Sequence, residues 1–154
     1  MLSDDILALG NISVADEASS KKRVLEQAAR LLAASAEEPS AEQIFERLLE
    51  RERLGSTGLA GGVALPHARM PGVTASRGAF LRLAEPVEFD ALDGTPVDLV
   101  FALLVPEEAT DEHLQLLAQL AGMFNDAGLR DRLREADAED ALAILTGKSA
   151  ANAT

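Results

Sequence analysis

The chain has 154 residues, 47% of them hydrophobic, no cysteine, and 26 acidic against 14 basic side chains for a formal net charge of −12. A chain of this charge repels nucleic acid and anionic lipid unless it gathers its basic residues in one place, and without thiols it has no disulfide, thiolate metal site or cysteine nucleophile. The start MLSDDILALG lacks the basic region and apolar run of a secretory signal, and no stretch reaches about 18 consecutive apolar residues, so the expectation is a cytoplasmic protein without membrane insertion.

Taken in order, Ile12-Ser13-Val14 has the composition of a short strand. From Ser20 the pattern turns helical, with Val24, Leu25, Ala28, Leu31 and Leu32 on one apolar face. The dense basic cluster Lys21-Lys22-Arg23 fits a solvated helix start. Pro39-Ser40 restarts the chain: Ser40 with Gln43 makes a capping box, and Ile44, Phe45, Leu48 and Leu49 share one side of a second helix. That helix delivers Arg51 near its C-terminal end, where a cation also complements the dipole.

The chain then reads GSTGLAGGVALPHAR from Gly55 to Arg69. Glycine permits positive φ and close approach of other groups to the backbone. A short strand at Val63-Ala64-Leu65 is expected to stop at Pro66-His67, where proline sets the angle at which the histidine leaves. Met70-Pro71-Gly72 reads as a turn and residues 75–84 as a strand broken by Glu85-Pro86, with a short extended piece at Val87-Glu88-Phe89. Asp93-Gly94 is a turn signal. VDLVFALLV, from Val97 to Val105, is apolar except for Asp98, as in a central strand covered on both faces, and Pro106 ends it.

Thr110 is expected to cap the next helix, with Asp111 and Glu112 in its first turn and Leu114, Leu117, Leu120, Ala121 and Phe124 as its buried stripe. Two shorter helices follow near 127–134 and 137–146, carrying Leu129, Leu133, Leu142 and Leu145. Residues 1–147 read as one domain and 148–154 as a frayed tail. Helices and strands interleave, which gives the α/β class: a single layered domain with a mixed β-sheet flanked by helices.

The chain has only two histidines, His67 at a strand end and His113 in the first turn of a helix. If their strands are neighbours, both imidazoles reach one rim, where open α/β sheets commonly bind ligands. An imidazole with a pKa of about 6.5 offers a free nitrogen near neutrality, and the positive end of a helix keeps His113 neutral. His67 is thus a candidate phosphoryl acceptor. His113 and Arg51 are candidates to hold the phosphoryl oxygens, with Gly55, Ser56, Thr57 and Arg69 in support. Each residue also has a plainer reading: a solvated charge, a surface imidazole, a helix-start side chain bonding its neighbour. Asp98 is open between the site and a structural ion pair. Neither GxxxxGKS/T nor GxGxxG is present, so a nucleotide cradle is unsupported. GSTG matches the GxxG of an RNA-binding loop, against which the acidic charge argues. A metal site on His67, His113 and Asp98 lacks any short-spaced ligand pair such as HxxxH.

Arg51-Glu52 followed by LGSTGLAGGVALPHAR resembles the type 2 enzyme IIA domain of the bacterial phosphotransferase system, the family of the fructose/mannitol IIA domains and the nitrogen-related regulatory IIA protein. PVEFDALDGTPVDLVFALLVPEEATDEHLQLLAQLAGMF looks most like the nitrogen-related branch, and the resemblance spans about residues 12–146. It implies that His67 accepts a phosphoryl group from a small histidine phosphocarrier protein (HPr-like), with His113 beside it and Arg51 on the phosphoryl oxygens. It implies neither metal nor other cofactor. For the nitrogen-related branch it also implies regulated target proteins, such as potassium-transport proteins or sensor kinases, rather than a sugar. A sugar-specific IIA passing its phosphoryl group to a IIB domain, and a binding module that is never phosphorylated, are the alternatives.

Overall fold

The computed structural model describes residues 2–3, 5–34, 38–108 and 110–147, without the side chain of Thr110. In chain order the elements are β1 (Ile12–Asp16), α1 (Lys21–Ala33), α2 (Ala41–Leu54), β2 (Val63–Ala64), β3 (His67–Met70), β4 (Arg77–Val87), β5 (Val97–Pro106), α3 (Thr110–Phe124), α4 (Ala127–Glu135) and α5 (Ala138–Thr146). A single 3-10 turn, Leu9–Asn11, precedes β1.

β5 is the strand against which the sheet is assembled. Its order is β1-β4-β5-β2, with β3 also paired to β5; β4 and β5 run antiparallel and every other pair is parallel. The near-continuous apolar run of β5 follows from that position, because both of its faces are covered. On one face Leu25, Leu32, Ile44 and Leu48 of α1 and α2 pack with Ala68, Leu81, Val100 and Leu104. On the other, Leu120, Phe124, Leu129, Leu133 and Leu145 of α3 to α5 pack with Leu65, Phe80, Leu99, Phe101 and Leu103. Burying a side chain of this size contributes about 1.5–3 kcal/mol, and these two layers hold the sheet between them. The expected mixed, helix-flanked α/β domain is the one observed.

Local chemistry explains most boundaries. The Ser20 side chain accepts from the Arg23 amide at the start of α1, and Ser40 with Gln43 forms a complete capping box on α2. Asp126 and Asp137 cap α4 and α5 in the same manner, and Gly147 closes α5 with φ 79°.

Three expectations need correction. His67 does not sit at the end of a strand: β2 stops at Ala64, and His67 opens β3. The register of β2 against β5 continues unchanged into β3, with Val63 opposite Leu99, Ala64 opposite Val100 and His67 opposite Leu103. The line is interrupted only at Leu65-Pro66, because proline has no amide hydrogen to give and the Leu65 amide bonds instead to the Thr57 carbonyl. Nor does Glu85-Pro86 break β4, which runs to Val87. Pro86 is tolerated because it lies beyond Leu83, the last residue paired to β1, and within a register shift against β5. Leu114 is 61% exposed rather than part of the α3 stripe. His113 takes that buried place, in line with Leu117, Leu120 and Phe124 at helical spacing. α3 starts at Thr110 itself, so the position that would cap it, like the tail from 148, lies outside the described residues.

Candidate functional site

His67 opens β3 on the edge of the sheet, and strand alternation sends it and Arg69 to one side while Ala68 and Met70 are buried on the other. α3 follows β5 directly and packs on the side that His67 faces, so its first turn sets His113 against His67. The two ring centroids are 5.1 Å apart, edge to face. From the opposite side, the last turn of α2 brings Arg51 to the same cleft, about 420 Å³ in volume, which is also lined by Arg47, Leu54 and Arg69. Glu50 and Glu107 lie on its rim. Three arginines against two glutamates give this cleft a positive balance on a chain of net charge −12.

The histidines differ in their bonding. Nδ1 of His67 lies 2.8 Å from the Leu65 carbonyl oxygen. A carbonyl only accepts, so Nδ1 carries the proton and Nε2 keeps its lone pair. Nδ1 of His113 is buried without a hydrogen-bond partner among the described residues. An unpaired buried acceptor is better tolerated than an unpaired N–H, and we therefore assign the His113 proton to Nε2. Burial, the neighbouring His67 and the charges of Arg69 and Arg51 push the His113 imidazolium down to a pKa of about 4. Burial also lowers His67, against the Leu65 hydrogen bond that raises it, and Arg51 adds to the lowering. Both rings are therefore held neutral near pH 7. One presents a free nitrogen and the other an N–H.

Arg51 donates from Nη1 to the Gly55 carbonyl at 2.9 Å, which pins its guanidinium to the start of the glycine loop and leaves other N–H groups of the fork for a ligand. Arg47 donates to the Arg69 carbonyl at 3.2 Å. Arg53, two residues on, lines a separate hollow with Lys21 and Leu49. Ser56 and Thr57 are not brought to the cleft. The Ser56 hydroxyl donates to the Phe89 carbonyl at 2.5 Å, and the buried Thr57 bonds the Glu52 carboxylate through both its amide and its hydroxyl. Asp98 is also elsewhere, bonded twice to Arg134 at 2.8 and 2.9 Å, while Arg134 reaches the Gly61 carbonyl at 2.7 Å. That pair fastens α4 to the far end of the glycine loop. Sequence reasoning did not single out Glu52, although its place beside Arg51 on the last helical turn was visible.

No group of three or more histidine, aspartate or glutamate side chains that could hold a metal ion occurs among the described residues. No helix among them is long and apolar enough to cross a membrane. A mixed sheet between helical layers, with two histidines and an arginine in an open cleft of positive balance, defines a small α/β domain whose cleft has the chemistry to take an anionic group. A family model described as the phosphoenolpyruvate-dependent sugar phosphotransferase system, EIIA 2, matches residues 5–148, and the chain belongs to that family.

Relatives at 40% identity and above carry a regulatory name. The nitrogen regulatory protein of Pseudomonas aeruginosa is 53% identical over 139 residues, 90% of each chain. The crystal structure of nitrogen regulatory protein IIA-Ntr from Neisseria meningitidis superposes with a TM-score of 0.86 at 51% identity, covering 92% of this chain and 97% of that one. A complex of the mannitol enzyme IIA with phosphorylated mannitol enzyme IIB from Escherichia coli contains a chain that matches with a TM-score of 0.75. At 21% identity, over 92% of this chain and 97% of that one, it supports the shared fold alone. The resemblance to the nitrogen-related branch therefore holds.

Proposed function

We propose that this chain is a phosphohistidine carrier that accepts a phosphoryl group on Nε2 of His67 from the phosphohistidine of a small phosphocarrier protein, and that its phosphorylation state regulates partner proteins. The observation that carries this reading is the Nδ1 hydrogen bond to the Leu65 carbonyl. It fixes the ring so that the nitrogen left with a lone pair is Nε2.

In the transfer, the Nε2 lone pair forms a bond to phosphorus as the bond to the donor imidazole breaks, and the electron pair returns to the donor nitrogen. The proton on Nδ1 stays in place against Leu65, where it stabilises the positive charge that the phosphorylated ring acquires. Phosphoryl transfer asks the protein mainly for alignment and charge stabilisation. Nε2–H of His113 and the guanidinium of Arg51 would supply these to the phosphoryl oxygens, and Arg69 and Arg47 would add a positive field. Gly55, Ser56 and Thr57 would act by holding Arg51 and Leu65 in place.

The regulatory part of the reading rests on the surroundings. Leu54, 85% exposed, lines the cleft, and Leu114, 61% exposed, follows His113. A phosphoryl group of about −1.5 to −2 charge on His67 would cancel the positive balance of the cleft beside these two leucines and so change what the surface can bind. A sugar-type IIA would share the first step and differ in handing the group to a IIB domain.

The test is intact-mass measurement after incubation with phosphoenolpyruvate, an enzyme I and a histidine phosphocarrier, in the cytoplasmic buffer conditions such carriers require. One acid-labile phosphoryl group on the parent and none on His67→Ala is expected. Partner binding without any phosphorylation would leave only the binding-module reading.

A further inference from the structure

Behind the cleft lies a buried carboxylate that the transfer chemistry does not use. The Glu52 side chain is 3% exposed and forms an ion pair with Lys21 Nζ at 2.9 Å. It accepts from the Thr57 amide at 2.8 Å and also from the Thr57 hydroxyl. Burying a carboxylate is costly unless its lone pairs are satisfied, and here three donors converge on it. The Lys21 ammonium, in turn, donates to the Phe89 carbonyl at 3.3 Å and sits 5.0 Å from the centre of the Phe89 ring. The cluster therefore joins the start of α1, the end of α2, the glycine loop and the turn after β4.

The connection continues to His67 without a gap. Thr57, whose N–H goes to Glu52, uses its carbonyl, in the following peptide unit, to accept from the Leu65 amide at 3.0 Å. Leu65 then presents its carbonyl to Nδ1 of His67 at 2.8 Å. The Leu65 amide is given to Thr57 while the neighbouring Pro66 carbonyl stays bonded to β5 through the Leu103 amide at 2.9 Å, so β5 does not fix the Leu65 amide. Thr57 does, and Glu52 fixes Thr57.

We infer that Glu52 is the positioning residue of the site, setting the Nδ1–H tautomer of His67 through Thr57 and the Leu65 peptide, with Lys21 anchoring the carboxylate. This deepens the phosphocarrier reading and rests on it for its consequence on rate. The tautomer itself does not depend on that reading.

The experiment is ¹⁵N NMR of the His67 ring in the full chain, unphosphorylated, comparing parent, Glu52→Gln and Thr57→Val. The parent should show a protonated Nδ1 and a pyridine-like Nε2. In Glu52→Gln an amide replaces a carboxylate that takes three donors, and the Nε2–H tautomer should become populated. Thr57→Val removes the hydroxyl donor to Glu52 but keeps the backbone amide bond, and should shift the tautomer in the same direction by less than Glu52→Gln. Phosphoryl transfer to Glu52→Gln should slow about tenfold to a hundredfold, the usual cost of misplacing a reacting group by a fraction of an ångström to an ångström. A parent-like tautomer in a folded Glu52→Gln would overturn the inference. If that variant does not fold, Glu52→Asp, which keeps the charge but shortens the reach to Thr57, carries the same test with the same two outcomes. Failure of the parent to take up phosphate would remove the carrier reading and leave the tautomer result to decide this one.

Discussion

At the scale of single residues, the site depends on keeping two imidazoles neutral and differently protonated in one cleft. Arg51 is the cation both rings feel, and its replacement by methionine keeps the stem while removing the fork. Transfer to His67 should then slow by about a hundredfold, the typical effect of deleting one oxyanion donor, in rapid-quench mass measurements. His113 gives a second prediction through stability. Its folded pKa of about 4 lies below the ordinary 6.5, so the unfolded chain binds its proton first as pH falls. The stability this contributes is present in full above pH 6.5 and declines as pH drops towards 4. Melting temperatures between pH 7 and 4 should therefore fall more steeply for the parent than for His113→Gln. Equal slopes would show that His113 is not held neutral by the fold.

At the scale of elements, the glycine loop is held from three directions, by Glu52, by Asp93, whose carboxylate accepts from the Gly61 amide at 3.1 Å, and by the Asp98–Arg134 pair. Gly62 has φ 81°, and a β-carbon there would lie 2.7 Å from Arg134 Nη2 and 2.9 Å from Asp98 Oδ1. Gly62→Ala should combine backbone strain with a displaced ion pair and cost about 2 kcal/mol in urea unfolding. Ser40→Ala, which removes half of a capping box far from the cleft, should cost about 1 kcal/mol and leave phosphorylation unchanged. Much at this scale was legible in the sequence. The capping box, the apolar period of α1 and α2, and the covered run of β5 each follow from local chemistry. What misled was the weight given to proline. Pro66 leaves the register intact because its carbonyl still accepts from Leu103, and Pro86 lies within a register shift against β5, both of which depend on the neighbouring strand and not on the local residues. Leu114 misled for a similar reason: on α3 the buried phase is set by the contact of His113 with His67, which is a tertiary fact.

At the scale of the whole molecule, a chain of net charge −12 gathers arginines from α2 and β3 around one edge of its sheet, and two exposed leucines stand at that edge. His67, His113, Arg51 and Arg69 could be nominated from sequence because their types and spacing carry chemistry. That they meet required the parallel pairing of β3 with β5 and the return of α3 over the same face. Ser56 and Thr57 could not be sorted from Arg51 by sequence, since a hydroxyl in a glycine loop serves a ligand or a neighbouring carboxylate equally well. In the phosphocarrier reading, the fold directs phosphorus to one nitrogen of one ring. This is tested most directly by heteronuclear ³¹P–¹⁵N NMR on protein phosphorylated through a histidine phosphocarrier. Coupling of phosphorus to Nε2 of His67, with Nδ1 still protonated, is the predicted result. Phosphorus on Nδ1, or on His113, would contradict it.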